Sequence, residues 1–297
     1  VALRAGVVGL GIMGGAYARH LVAAGVATIG CDVDPVAGAR FAAAGGTLAA
    51  HPGEVAAASD VVITALPSVA ALEVAFLARD GIAAGAARGL VVSEQSTFPL
   101  ADKERIRAAL AVGGVTVLDA PVSGTGTQAE AKDLTVFVSG EQAGYERAQP
   151  VLQTFARDVR YVGAFGIGSK LKYVANLLVT IHNLAAAEAV VLAERAGLDA
   201  AQMLAALKGS AADSRMLQVR GPMMAADSYQ PAAMKMDVYE KDLQIIDAFA
   251  HEVGAPTPLF AQSLPFYRAA AANGHAKDDT SAIVTVLRAM AALTVSP

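Results

Sequence analysis

The chain has one cysteine, Cys31, so no intrachain disulfide can staple it. Charged residues make up only 17% of its 297 positions, against 55% hydrophobic ones, which is far from the polar composition that leaves chains disordered. No basic run is interleaved with aromatics, and the net charge is −4. Such a balance offers no general attraction to phosphate backbones, so nucleic acid is not expected as a partner. His, Cys and carboxylates nowhere fall at metal-ligand spacing, and no GxSxG elbow is present, which disfavours metal and hydrolase chemistry. No internal repeat and no low-complexity linker interrupts the chain. No charged n-region, apolar h-region and cleavage site precede the first expected strand, so the expected location is cytoplasmic. The most apolar long stretch, Leu171 to Ala196, carries Lys172, Asn176, His182, Asn183, Glu188, Glu194 and Arg195. A bilayer would penalise these, so the expectation is a buried helix and no membrane partner.

What is present is an alternation. Short β-rich runs at Ala5–Val8, Thr28–Asp32, Val61–Leu66, Leu90–Ser93, Thr116–Leu118, Thr135–Val138 and Val159–Val162 are separated by helical stretches. Alternation of this kind predicts a mainly parallel sheet covered by helices. After Gly168 the strand signal stops, and Leu171–Ala196, Ala200–Lys208, Val238–Glu252, Pro258–Asn273 and Ser281–Ala292 read as helices. The expected fold is therefore α/β: an N-terminal Rossmann-type doubly wound sheet over residues 1–164, followed by an all-α domain over residues 165–297. The alanine-rich apolar helices of the second part expose more sticky surface than a small helical domain can cover, so a homodimer or homotetramer is expected.

Gly9, Gly11 and Gly14 stand at GxGxxG spacing directly after the first strand and at the head of a helix. In that context Gly9 permits the tight turn, Gly11 the approach of a pyrophosphate, and Gly14 the close helix–strand contact. Leu10, Ile12 and Met13 complete this cofactor loop. Asp32 ends the second strand, 23 residues after Gly9, where a carboxylate meets ribose hydroxyls. A 2′-phosphate would be repelled there, and Val33 supplies no positive charge, so NAD rather than NADP is the expected cofactor. Asp32 or Asp34 could instead cap the helix after Pro35, a role that suits Asp34 better and that can coexist with ribose binding.

Four segments in order resemble the β-hydroxyacid dehydrogenase family, which includes 3-hydroxyisobutyrate dehydrogenases and tartronate semialdehyde reductases. They are Gly9-Leu-Gly-Ile-Met-Gly14, Asp119-Ala-Pro-Val-Ser-Gly124, Gly166-Ile-Gly-Ser-Lys-Leu-Lys-Tyr-Val-Ala-Asn176 and Lys241-Asp-Leu243. The resemblance implies an NAD-dependent oxidoreductase acting on a small β-hydroxy acid or its semialdehyde. It makes Lys172 the proton-transfer residue, Asn176 its partner, and Ser123, Gly124 and Thr125 the substrate-binding residues. Leu66, Pro67, Thr97 and Lys241 join the glycine loop and Asp32 as cofactor contacts. Independently of that, Lys172 and Asn176 are four residues apart and share a helix face, with Asn183 close to it. Polar groups on an otherwise apolar helix are costly unless they meet a partner or ligand.

Competing readings exist for each. Lys172 could hold its ammonium in solvent at a helix start, and Pro-Val-Ser-Gly could be a plain turn. His182 is about 80° around an ideal helix from Lys172 and reads as a satisfied buried histidine. Met223, Met224, Met234 and Met236 read as core fillers. The sequence also departs from the family pattern: Thr125 replaces a second glycine, Thr127–Asp133 a glycine-rich stretch, Glu94 an aspartate before Ser-Thr, and Ala175 the first asparagine of a doublet. Substrate identity therefore stays open. Two other functions compete: imine reduction on the same scaffold, which Lys172 disfavours, and non-catalytic nucleotide binding, which an intact Lys172 and Asn176 disfavour.

Overall fold

The structure is a computed structural model that describes residues 3–291. Strands form at β1 Ala5–Val8, β2 Thr28–Cys31, β3 Thr47–Leu48, β4 Val61–Thr64, β5 Val91–Glu94, β6 Thr116–Asp119, β7 Val122–Ser123, β8 Thr135–Ser139 and β9 Asp158–Gly163. They make one sheet in the order β3-β2-β1-β4-β5-β6-β8-β7, with β9 also pairing with β8, in parallel. From β3 to β6 every neighbour is parallel; β8 then runs antiparallel to β6 and β7. The six parallel strands have the doubly wound order 3-2-1-4-5-6, whose reversal between β1 and β4 opens a crevice at the strand ends.

Alternation along the strands explains the two covered faces. Val61 and Ile63 of β4 join a cluster with Leu10, Tyr17, Leu21, Phe41 and Phe155, while Val62 joins Val55, Leu72, Phe76, Ile106 and Leu110 on the opposite face. Strands buried on both sides need near-continuous apolar sequence, which is what Val61-Val-Ile63 supplies. Burial also pushes the Cys31 thiol up to about 12, with help from Asp32 and Glu54, so it is no nucleophile at neutral pH.

The chain divides into two compact units after Lys172. The helix Ile167–Arg195 carries that division, and the second unit is helical as expected. Its core gathers Tyr173, Val190, Leu217, Met224, Met236, Tyr239, Ile246, Phe260, Tyr267 and Ile283. Met224 and Met236 are buried, with Met223 and Met234 half-buried around them. A helix over Arg215–Ala225, absent from the sequence reading, starts at a Ser214 cap and tolerates Pro222 in its third turn. The last expected helix runs as a 3-10 turn, Thr280–Ile283, into Val284–Met290; the expected end at Ala292 lies outside the described residues.

One described helix, Ile167–Arg195, is long and apolar enough to cross a membrane. Its Asn176, Thr180 and Asn183 are buried and hydrogen-bonded to Asp242, Tyr239 and Tyr267 of the same unit, which makes it a core helix. It is not covered all round, as the sequence suggested. Leu171, Val174, Leu178 and Leu192 are 39%, 56%, 47% and 71% exposed. His182 lies in the same exposed stripe, so the expectation of a buried histidine is corrected.

Candidate active site

At the end of β1 the backbone turns at Gly9 with φ +90°, and a Cβ there would sit 2.3 Å from the Ala65 carbonyl oxygen. A Cβ on Gly14 would be 1.8 Å from the Gly9 carbonyl oxygen, so the helix Ile12–Ala23 can approach the strand only with glycine at that place. Gly11 differs from both: nothing lies within 4 Å of its missing side chain. It is the N-cap of the helix, and no side chain caps it or adds an acidic group to the first turn. Open space before uncapped N–H groups fits a dinucleotide pyrophosphate. Leu10 is buried, Met13 half-buried and Ile12 70% exposed, so the loop is anchored by one side chain and offers another.

Asp32 is half-buried at the end of β2. Its Oδ2 accepts the Leu10 N–H at 2.5 Å and its Oδ1 the Asp34 N–H at 2.8 Å. The carboxylate therefore fixes the glycine loop, a role the sequence did not suggest, while Asp34 caps the helix Pro35–Ala43 through the Val36 N–H, as the sequence favoured. Leu66 and Pro67 follow β4, where the Leu66 N–H donates to Ser96 Oγ at 2.8 Å. This bond joins the end of β4 to the segment Glu94–Thr97, with Thr97 half-buried.

Ser123 and Gly124 are half-buried at the end of β7, with Ser123 paired in register to Thr135. Gly124 has φ +141° and lies against Leu134. Thr125 caps a short helix, Gly126–Glu130, and its N–H is engaged by Gln128 Oε1 at 3.1 Å. That helix replaces the glycine-rich stretch expected from the resemblance, and an Arg19–Glu130 ion pair ties it to the helix Ile12–Ala23.

Sequence reasoning missed the buried charges below this region. The Lys103 ammonium lies 2.8 Å from both Glu94 Oε2 and Asp119 Oδ1, with all three side chains at most 2% exposed. Burial alone would raise the Asp119 carboxyl, but Lys103 and Ser169 hold it below the ordinary carboxylate range. Burial likewise opposes the Lys103 charge, and the Asp119 and Glu94 carboxylates outweigh it, keeping the ammonium above its ordinary value. Glu94 also accepts the Ser96 N–H at 2.8 Å, so the unusual glutamate serves both the ion cluster and the loop. Lys103 stands in a helix, Leu100–Ala111, whose Asp102, Glu104, Arg105 and Arg107 make it read as solvated.

Lys172 is half-buried on the second turn of the long helix, and Asn176 stands one turn further on the same face. Asn176 is buried, and its Nδ2 donates to Asp242 Oδ2 at 2.9 Å. Lys241 Nζ is 3.0 Å from Asp242 Oδ1, so the Lys-Asp-Leu element reaches Asn176 through its aspartate. The signal was present: Asp242 interrupts the buried stripe of Tyr239, Leu243 and Ile246, where a carboxylate needs a partner. Asn183, by contrast, is spent on structure, donating to Tyr267 Oη and the Thr280 carbonyl. Among the described residues no group of three or more His, Cys, Asp or Glu could hold a metal ion.

Comparison with known proteins returns two family matches in tandem. The family described as the NAD binding domain of 6-phosphogluconate dehydrogenase covers residues 4–163. The one described as NAD-binding of NADP-dependent 3-hydroxyisobutyrate dehydrogenase covers 166–287. An L-threonate dehydrogenase of Cupriavidus necator is 35% identical over 282 residues, 95% of each chain. Among solved structures, a 3-hydroxyisobutyrate dehydrogenase of Salmonella typhimurium is 33% identical with a TM-score of 0.86, covering 96% of this chain and 99% of its own. A Mycobacterium tuberculosis 3-hydroxyisobutyrate dehydrogenase, solved with L-serine, is 30% identical with a TM-score of 0.87, covering 97% and 100%.

Proposed function

The chain belongs to the β-hydroxyacid dehydrogenase family, and on that premise we propose that it passes a hydride between NAD(H) and a small β-hydroxy acid or its semialdehyde, with Lys172 moving the proton. It is a nicotinamide-dinucleotide-dependent oxidoreductase; the choice of NAD, the substrate and the residue roles are the proposal. The observation that carries it is the pairing of Lys172 with Asn176 on one face of one helix, with the Asn176 amide held by Asp242.

Residues 1–164 form the dinucleotide-binding part and 165–297 the substrate and dimerisation part, a division supported by the two family matches meeting between residues 163 and 166. When bound, the nicotinamide accepts or returns the hydride. In oxidation Lys172 Nζ receives the proton of the substrate hydroxyl, and in reduction it polarises the carbonyl and returns that proton. Asn176 keeps the lysine and the reacting oxygen in line. Ser123, Gly124 and Thr125 bind the substrate carboxylate, while Leu66, Pro67, Thr97 and Lys241 flank the cofactor.

The NAD preference rests on Asp32 and on the fully exposed Val33 beside it, where a 2′-phosphate would find a carboxylate and no cation. A homodimer or homotetramer in the cytoplasm, without nucleic acid or membrane partners, completes the reading. Its support is the exposed stripe of Leu171, Val174, Leu178 and Leu192 on the long helix, an apolar face that a second copy would cover.

The test is absorbance at 340 nm with NAD and a panel that includes L-threonate and 3-hydroxyisobutyrate, followed by Lys172→Ala on the acid of highest turnover. Turnover should fall by about 10²–10⁴-fold, the range of a positioned proton-transfer group, with NADH affinity retained. A folded Lys172→Ala variant with normal turnover overturns the assignment.

A further inference from the structure

The long helix that carries Lys172 does not begin in solvent. Its first turn donates two N–H groups to side chains of the sheet: Gly168 to Ser139 Oγ at 3.0 Å, and Ser169 to Asp119 Oδ2 at 2.7 Å. Ser169 Oγ donates a second bond to the same carboxylate, to Oδ1 at 2.7 Å, and Ser139 Oγ approaches Oδ2 at 3.1 Å. Asp119 and Ser139 are fully buried and Ser169 is 1% exposed. A Cβ on Gly168 would lie 2.5 Å from the Phe137 carbonyl oxygen and 3.0 Å from that of Asp119, so the helix start rests directly on β8 and β6.

We propose that Asp119 and Ser169 are positioning residues for catalysis: the buried carboxylate grips the first turn through two bonds and thereby fixes the rotation of the helix face that presents Lys172. The inference rests on the reading of Lys172 as the proton-transfer group. Ser169 and Lys172 are three residues apart and so share a face. At a side-chain radius of about 5–6 Å, a rotation of about 10° displaces that face by about 1 Å. A displacement of about 1 Å at a reacting group costs about a hundredfold in rate.

Tethering alone does not explain the chemistry chosen. A well-packed apolar contact would hold the helix down as strongly as a buried ion cluster, because desolvation offsets much of the Coulomb gain. What an apolar contact lacks is direction, which two short charge-assisted bonds provide. The helix end also offsets part of the cluster's charge. Glu94 and Asp119 outnumber Lys103 by one negative charge, and the positive end of the helix dipole faces that excess through the Ser169 N–H. The triad therefore holds the helix start rather than merely satisfying itself.

The experiment is a double-mutant cycle on the full chain, using the panel acid of highest turnover and NADH fluorescence as the binding probe. Ser169→Ala leaves the ion cluster and the backbone bond in place. It should lower kcat about tenfold while KM and the NADH dissociation constant stay within about twofold. Ser169→Thr, which keeps the hydroxyl, should restore most of kcat. Added to Lys172→Ala, the Ser169→Ala change should slow turnover no further, since a residue acting through Lys172 has nothing left to position. Ser139→Ala, which loosens the same carboxylate from β8, is the second variant and should behave alike. Wild-type kcat in both Ser169→Ala and Ser139→Ala, or losses that multiply with that of Lys172→Ala, overturns the inference. Normal turnover in Lys172→Ala instead overturns the underlying reading, so the two failures are told apart.

Discussion

In the α/β unit the buried charges stand at the carboxyl ends of β5 and β6: Glu94 and Asp119 share Lys103, and their bonds run onward to the Ser96 loop and to Ser169. In the helical unit the most deeply buried carboxylate, Asp279, is at a loop. It takes Arg220 Nε at 3.2 Å and the Ser281 N–H at 2.9 Å on one oxygen, and the N–H groups of Ala233 and Met234, each at 3.0 Å, on the other. Nearby, Arg288 binds Glu194, Asp227 and the Met224 carbonyl. Both clusters satisfy buried charge, but one sits where open α/β sheets collect ligands and the other closes connections between helices. The difference teaches that burial of a charge does not say what the charge is for; the elements at the far end of its hydrogen bonds do. Damage to the first should be read in turnover, and damage to the second in stability.

The largest expected effect is on the second cluster. Asp279→Ala leaves Arg220 without its carboxylate and the N–H groups of Ala233, Met234 and Ser281 without their acceptor, and should cost about 3–5 kcal/mol of stability. Urea unfolding measures it, and a loss below 1 kcal/mol would break the comparison. Next come the glycines of the loop after β1, which divide in the same way. Gly14→Ala forces a Cβ against the Gly9 carbonyl and should cost about 1–3 kcal/mol of stability along with NADH affinity. Gly11→Ala meets open space, so it should weaken NADH binding while leaving the unfolding midpoint in place.

These glycines mark the part of the site that was legible, because their reasons are local: a strand, a turn and a helix within ten residues. The four-residue parallel strands were legible too, through their short apolar runs. β3 and β7, two residues each, carry no period and were missed. The contacts that hold the long helix span the chain: Ser169 is 50 residues from Asp119, and Asn176 is 66 from Asp242. No window contains both partners. Lys103 was hidden by its own neighbours, since a lysine among Asp102, Glu104 and Arg105 has the pattern of a solvated face. His182 misled in the other sense, because an apolar sequence around it does not say which side of a helix is covered.

Asp32 tests whether one carboxylate can serve both loop and ligand. Asp32→Ala removes the acceptor of the Leu10 N–H and, on the proposed reading, the group that would repel a 2′-phosphate. NAD should lose about 1 kcal/mol of binding, several-fold in affinity, while NADP binding improves relative to it. Titration of both cofactors against wild type and variant measures this. Equal NAD and NADP affinity in the wild type would remove Asp32 from the ribose site and leave it the loop role alone.

The smallest effects concern pH and salt, and they set buried Asp119 against exposed Asp60. Both carboxyls lie below their ordinary value: Asp60 through hydrogen bonds from Arg4, and Asp119 because Lys103 and Ser169 outweigh its burial. A carboxyl whose folded value is depressed stabilises the fold above its unfolded value of about 3.9, and that stability is lost as pH falls through the folded value. Neither group should therefore change the unfolding midpoint between about pH 5 and 7, and both should contribute an acid loss below about pH 4. Salt separates them. The Arg4–Asp60 pair is 54% and 23% exposed and should lose its part of the acid dependence when ionic strength is raised to about 1 M, where the screening length is about 3 Å. The Lys103–Asp119 pair has no solvent between its partners, at 1% and 0% exposure, and should keep its own. Urea midpoints of wild type, Asp60→Asn and Asp119→Asn, each at low and high salt from pH 7 to 3, resolve the two. An acid slope that vanishes in high salt for the wild type would show that the buried cluster is open to water, and with it the claim that Asp119 grips the helix by unscreened charge would fall.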